Sequence, residues 1–244
     1  MTQPLEVLHV SNHVICVAKP AGIPTVPDDS QDTSLLDVTK AWIAAEFRKP
    51  GDVFLGVVHR LDRPVSGVLA FGRTSKGAAR LTESFRSRVA EKTYVAVTTG
   101  VPGTEGSPAG MVEHWLQKNG AKNVVSVVPE GTPGAKLART RYRVVATRAG
   151  KALVHLTPET GRSHQLRVAM ASLGAPLLGD LKYGASEPLY DRSVALHALA
   201  LKVPHPTRPE PVAVSTMPPL DPRLPWSSFR RELEGVLRGL SLGD

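Results

Sequence analysis

Cysteine is nearly absent: Cys16 is the only one in 244 residues. A lone thiol excludes an internal disulfide and any zinc or iron–sulfur site built from several thiolates, and it fits a reducing compartment. Because Cys16 lies in the apolar run Val14-Ile15-Cys16-Val17-Ala18, it is expected as a buried strand residue. Long apolar runs are missing too. None approaches the roughly 18 residues of a membrane span, and the start Met1-Thr2-Gln3-Pro4-Leu5-Glu6 carries no basic export leader. The expected location is the cytoplasm. Neither an internal repeat nor a low-complexity tract is present. Acidic residues are outnumbered, 22 against 30 Lys plus Arg, which leaves a net charge of +8. A positive surface attracts phosphate polymers by releasing their counterions, so nucleic acid is the leading partner, although charge alone does not decide it.

What is present is a globular composition, 41% apolar and 21% charged. At about 150 residues per domain, the length predicts one large domain or two intimately joined subdomains. Short apolar, β-branched runs at 5–10, 14–18, 54–58, 68–71, 93–98, 124–128, 142–146 and 152–156 predict strands. Helical patterns run from Thr33 and Ser34 toward Phe47, with Asp37 as the acidic partner of a capping box and Trp42 in the core, and over 75–88, 163–173 and 228–237. Strands that follow strands predict an α+β fold, a mostly antiparallel mixed sheet flanked by helices, rather than repeated βαβ units. The Gly/Pro-rich loops 101–110 and 129–134 either close over RNA or simply connect strands. The Pro-rich stretch 218–225 is expected to wrap over the body before the last helix.

One carboxylate stands out. Asp62 follows the run 54–58 and precedes Pro64 and Gly67, so it belongs to a turn where a strand gives out beside the core. Arg60 and Arg63 flank it, and their charge favours an ionised carboxylate, suited to a nucleophile more than to a proton donor. An Asp that merely caps a turn reads the same way locally. Arg139, Arg141 and Arg143 alternate in a strand-like run, either a phosphate-binding stripe or an ordinary solvated face. His59, His164 and His197 lack the spacings of a zinc site, so no metal is expected.

The stretch His59-Arg60-Leu61-Asp62-Arg63-Pro64-Val65-Ser66-Gly67 resembles the HRLDxxTSG signature of the RluA-type pseudouridine synthases, which modify large-subunit rRNA and tRNA. Three more segments agree in order. Val17-Ala18-Lys19-Pro20-Ala21-Gly22 is similar to the KPxG motif, Lys92-Thr93-Tyr94-Val95-Ala96 to KxYxA, and Thr160-Gly161-Arg162-Ser163-His164-Gln165-Leu166-Arg167 to TGRxHQxR. Leu196-His197-Ala198 and His205-Pro206-Thr207 resemble its late LHA and HP elements. The likeness spans residues 6–216. It implies the pseudouridine synthase catalytic fold with a central cleft between two halves of one sheet, and neither metal nor organic cofactor. The expected organisation is a catalytic domain over 1–225 of two subdomains sharing that sheet, then a C-terminal helix and tail over 226–244, with no separate N-terminal RNA-binding domain.

The resemblance also implies roles. The family detaches uracil from its ribose, turns the base over and rejoins it through carbon, using an essential aspartate. Asp62 matches that aspartate, Arg167 the arginine that pairs with it, and Tyr94 the tyrosine against the target base. Arg60 matches the arginine expected to fill the gap left by the flipped base. Lys92, Arg162 and His164 are expected on the RNA, and Leu196 as the apolar wall behind the uracil. The chain departs from the pattern at Val65, Ala169 and Asn12, none a proposed catalytic group. The expected partner is structured RNA, a stem-loop of rRNA or tRNA, bound by a monomer. The competing expectation is a noncatalytic RNA-binding or RNA-folding protein on the same scaffold.

Overall fold

A computed structural model describes residues 4–103 and 108–240. In chain order the strands and helices are β1 (Glu6–Val10), β2 (Val14–Lys19), α1 (Leu35–Glu46), β3 (Gly56–Val57), β4 (Ser66–Gly72), α2 (Ser75–Arg86), β5 (Glu91–Thr98), β6 (Ala109–Asn119), β7 (Val124–Val128), β8 (Lys136–Arg148), β9 (Lys151–Pro158), α3 (Gln165–Ser172), β10 (Leu196–Val203), β11 (Val212–Ser215) and α4 (Arg230–Arg238). The described residues divide into two compact units, one from 4–92 and 198–217, the other from 93–103, 108–197 and 218–240. The fold is α+β, as the strand-after-strand order predicts.

In the first unit the strand order is β1-β2-β4-β10, with β3 beside β4 and β11 beside β10. The pairs β1–β2, β2–β4, β3–β4 and β10–β11 are antiparallel. Inward-facing Val14, Cys16, Val68, Ala70, Leu201 and Val203 form its core together with Leu81 of α2. Cys16 is fully buried, as expected, and burial pushes its thiol up to about 12. Helix α1 begins on a capping box: the Ser34 hydroxyl accepts from Asp37 N–H, and the Asp37 carboxylate accepts from Ser34 N–H. Its buried positions are Leu35, Thr39 and Ile43, one stripe at helical spacing. Trp42 lies off that stripe, half-buried and edge-on to Phe47, so the expectation that it is core is corrected.

In the second unit the order is β5-β9-β8-β6-β7, and every pair is antiparallel. Ala149 and Gly150 alone join β8 to β9; both have positive φ, the geometry whose twist matches a two-residue hairpin. Leu116, Val125, Ala138 and Val168 cluster where α3 covers this sheet. The last segment packs in this unit through Trp226, Phe229 and Leu233, each almost fully buried. Its Glu232 pairs with Arg148 of β8.

Other expectations need adjustment. The run 54–58 is a strand only at Gly56–Val57, since Phe54 and Val57 face solvent instead of alternating into a core. Strand β6 is a strand the residue pattern did not predict, because Glu113, His114, Gln117 and Lys118 dilute its apolar positions. Strands β10 and β11 also lie outside the predicted runs; β10 is rich in Ala and Leu, residues with no strand preference of their own. Helix α3 starts at Gln165 and α4 at Arg230, each about two residues later than predicted, the latter after a 3-10 turn at Pro225–Phe229. Of the loop 101–110, residues 104–107 lie outside the described residues, and Ala109 and Gly110 open β6.

Gly67 follows the Asp62 turn and enters β4 with φ +121°, a region closed to other side chains, and any Cβ there would overlap the backbone of Ala198. Gly67→Ala is therefore expected to lower stability by about 3 kcal/mol, combining backbone strain with overpacking. Thermal unfolding checks this; a midpoint equal to that of the wild type would contradict it.

Candidate active site

The Asp62 turn is held from three sides within the first unit. Thr25 Oγ1 donates to the Leu61 carbonyl at 2.8 Å and accepts from Leu61 N–H at 3.2 Å. Gly22 N–H reaches the Arg63 carbonyl at 2.8 Å, and Val65 N–H closes the turn on the Asp62 carbonyl at 3.0 Å. Lys19 is the third clamp. Its Nζ, 1% exposed as a residue, donates to the carbonyls of Pro20, Arg63 and Val65 at 2.9, 3.0 and 2.8 Å. Three acceptors use all three ammonium protons. Burial works against that charge and pushes Lys19 down to about 7, while the Asp62 carboxylate opposes the shift and Arg63 adds to it.

Arg63 does not serve Asp62 as the flanking charges suggested. Its guanidinium reaches away, to Asp32 at 2.9 Å, Asp28 at 3.3 Å and the Ser30 hydroxyl. Lys19, from the KPAG segment, is a cation coupled to Asp62. Arg60 is exposed, and Asp62 itself is half-buried. His59 accepts from Ala70 N–H at 2.9 Å through Nε2 and stacks on Phe85 at 4.4 Å. Burial, with Lys92 adding to it, pushes its imidazole down to about 3, so it is neutral and fastens the start of the turn to β4. Lys92 is half-buried, and burial lowers its ammonium as well.

The other residues named from the sequence lie in the second unit. Tyr94 lies half-buried on β5 opposite Leu156, and Leu196 opens β10 at 4% exposure. The Gly161–Ser163 turn is locked by Gln165. Its Oε1 accepts from Thr160 Oγ1 at 2.7 Å and Arg162 N–H at 3.0 Å, while its Nε2 donates to the Arg139 carbonyl and Thr140 Oγ1. Arg162 Nε donates to the Leu137 carbonyl at 2.9 Å. His164, in a left-handed conformation at φ 52°, turns the chain into α3.

Arg167 projects from α3 into a buried ion pair. Its Nε and Nη2 donate to Asp180 Oδ2 and Oδ1, both at 2.7 Å, with the two side chains 6% and 0% exposed. The guanidinium also lies over the Tyr183 ring, 5.1 Å from its centroid. The Tyr183 hydroxyl accepts from Val125 N–H at 2.9 Å and meets His164 Nδ1 at 2.7 Å. Neither Asp180 nor Tyr183 was singled out in the sequence. The available signal was Gly179-Asp180-Leu181-Lys182-Tyr183-Gly184, an acid and an aromatic between two glycines of positive φ, after an apolar run.

The histidines expected not to bind metal are engaged otherwise: His59 by Ala70, His164 by Tyr183, and His197 edge-on to Trp226. Among the described residues no group of three His, Cys, Asp or Glu could hold a metal ion. Arg139 pairs with Glu113 and Arg141 with Glu159, so two members of the alternating stripe already hold carboxylates. Of the departures, Val65 is buried and lends its carbonyl to Lys19, Ala169 is buried in α3, and Asn12 is exposed between β1 and β2.

Comparison with known proteins adds independent findings. The profile of a family described as RNA pseudouridylate synthase matches residues 13–172, a span holding Lys19, Asp62, Tyr94 and Arg167. The chain is 36% identical over 211 residues to the dual-specificity RNA pseudouridine synthase RluA of Escherichia coli O157:H7, covering 83% of this chain and 88% of that protein. It is 31% identical over 232 residues to the ribosomal large subunit pseudouridine synthase D of Zymomonas mobilis subsp. mobilis, covering 91% and 71%. Among solved structures, human RNA pseudouridylate synthase domain containing 4 matches with a TM-score of 0.72 at 25% identity, covering 96% of this chain and 93% of that one.

Two stability predictions follow from the clamps. Asp180→Ala removes a buried bidentate carboxylate from the Arg167 guanidinium and is expected to cost about 3 kcal/mol in denaturant unfolding; a loss below about 1 kcal/mol would contradict it. Lys19 sets a pH dependence. Its folded pKa lies below the unfolded value, so from about pH 7 up to the ordinary lysine range the unfolded chain holds the proton more tightly. The folded state therefore gains stability from this group as pH rises through that window. Unfolding titrations should show a shallower rise for Lys19→Met than for the wild type; equal slopes would contradict the assignment.

Proposed function

The chain belongs to the RNA pseudouridylate synthase family, and from that premise we propose that it flips a specific uridine out of an rRNA or tRNA stem-loop and isomerises it through Asp62. The observation that carries this reading is the clamped turn. Thr25, Gly22 and Lys19 hold the backbone on both sides of a half-buried carboxylate, while Lys19 is coupled to that carboxylate. Such preorganisation costs an enzyme nothing at the moment of reaction.

The reaction breaks the bond from C1′ to N1, turns the uracil over and forms a bond from C1′ to C5. N1 takes a proton and C5 releases one to water. No electrons are gained or lost overall, so the chemistry calls for no redox cofactor. Attack by Asp62 on the sugar, attack on the base and removal of a sugar proton all need the carboxylate ionised and next to the nucleoside. In this reading Arg167 supplies a positive charge to the reaction. Asp180 is its positioning residue, since a bidentate carboxylate fixes the plane of the guanidinium.

Tyr94 offers a ring for the uracil to stack on and a hydroxyl for bonding or proton transfer, with Leu196 as the apolar wall. A stacked uridine must leave its helix first, at a cost of a few kcal/mol. Exposed Arg60 inserts a planar cation where the base was, and Lys92, Arg162 and His164 engage the surrounding RNA. As part of this proposal the protein works as a monomer in the cytoplasm; among the described residues no helix is long and apolar enough to cross a membrane. The two relatives, one of them a ribosomal large subunit enzyme by name, support rRNA as a substrate class.

Total cellular RNA tritiated at uridine C5 tests this reading with chelator present. Incubation with the protein is expected to release label to water from a small set of sites. No release from any RNA would overturn it.

A further inference from the structure

Strands β6 and β7 and the start of β8 share one sheet face, with Lys118 opposite Val125 and Leu116 opposite Lys136. Next to this face, the Gly161–Ser163 turn leaves an open cavity of about 280 Å³. Leu116 and Val125 make an apolar floor, while Lys118, Lys136 and Arg162 put three cations on the lining without a carboxylate among them. Three acids of this unit hold other cations. Glu113 is on the opposite face of β6 with Arg139, Glu159 holds Arg141, and Asp180 holds Arg167. Arg162 is fixed in place: Nε is bound to the Leu137 carbonyl, leaving its two terminal amino groups as donors, and its N–H is held by Gln165.

We propose that this cavity is a phosphodiester subsite, binding the substrate RNA backbone at a nucleotide other than the target uridine. This rests on the pseudouridine synthase reading, which supplies the polyanion. Two flexible lysine ammoniums and one fixed guanidinium suit a tetrahedral phosphate, and the apolar floor suits the ribose attached to it. Arg162 and Arg167 stand five residues apart across the turn into α3. A phosphate held here therefore fixes the RNA strand against the helix that carries Arg167.

The test is RNA binding across a salt series, a readout independent of turnover. Lys118→Gln combined with Lys136→Gln is expected to weaken binding about tenfold, and to reduce the slope of log affinity against log salt by about 0.7, the loss of one single-strand phosphate contact. Both lysines are exposed, so the fold is retained. Lys151→Gln, an exposed lysine at the start of β9, is expected to leave affinity and slope unchanged. Unchanged slope in the double variant, an equal loss in Lys151→Gln, or polyglutamate competing as well as RNA would each overturn the subsite. If label release from C5 fails while these results hold, the catalytic reading falls and the subsite stands; if the wild type binds no RNA, both fall.

Discussion

One buried ammonium shapes the candidate active site. Lys19 gives all three of its protons to main-chain carbonyls, two of them in the segment just after Asp62. The backbone there cannot move without leaving a buried carbonyl unbonded, at about 1–3 kcal/mol apiece. Thr25 makes the same demand before Asp62 by engaging both polar groups of Leu61. The clamps act on main chain, and the carboxylate is only half-buried. Gly67 then lets the chain run flush against Ala198 into β4.

The second unit uses the same device with different chemistry. Arg167 is held by a carboxylate instead of carbonyls, and Tyr183 serves twice, with its ring under the guanidinium and its hydroxyl on His164. Buried ion pairs add little net stability, because desolvating two charges offsets most of their attraction. What Asp180 provides is direction: with Nε and Nη2 fixed, the guanidinium cannot rotate about its stem. Lys19 and Arg167 are thus cations placed at a cost in solvation and aimed by their partners.

Much of this was legible in the sequence. Ser34 and Asp37 announced the start of α1 because a capping box is local chemistry, and the β-branched runs of β2 and β9 announced strands for the same reason. The resemblance brought Asp62, Tyr94 and Arg167 forward on quoted motifs. Partnerships across long stretches of chain were not legible. Arg63 stood beside Asp62 in sequence, yet its guanidinium found Asp28 and Asp32, while Lys19 reached the turn from more than forty residues away. Asp180 looked like any acid in a glycine turn. Its meaning depends on Arg167, and that pairing exists only once α3 has packed. Strand β6 was hidden because one of its faces is polar, and β10 because Ala and Leu favour neither state alone.

These features converge on one claim, that an ionised Asp62 performs the isomerisation and the clamps exist to present it. Asp62→Asn removes the charge while keeping the size and the main-chain clamps. The direct measurement is single-turnover pseudouridine formation by this variant on a substrate RNA, with RNA affinity determined in parallel. The account predicts no detectable pseudouridine with affinity within about threefold of the wild type, a difference below about 1 kcal/mol. Turnover at the wild-type rate would contradict it.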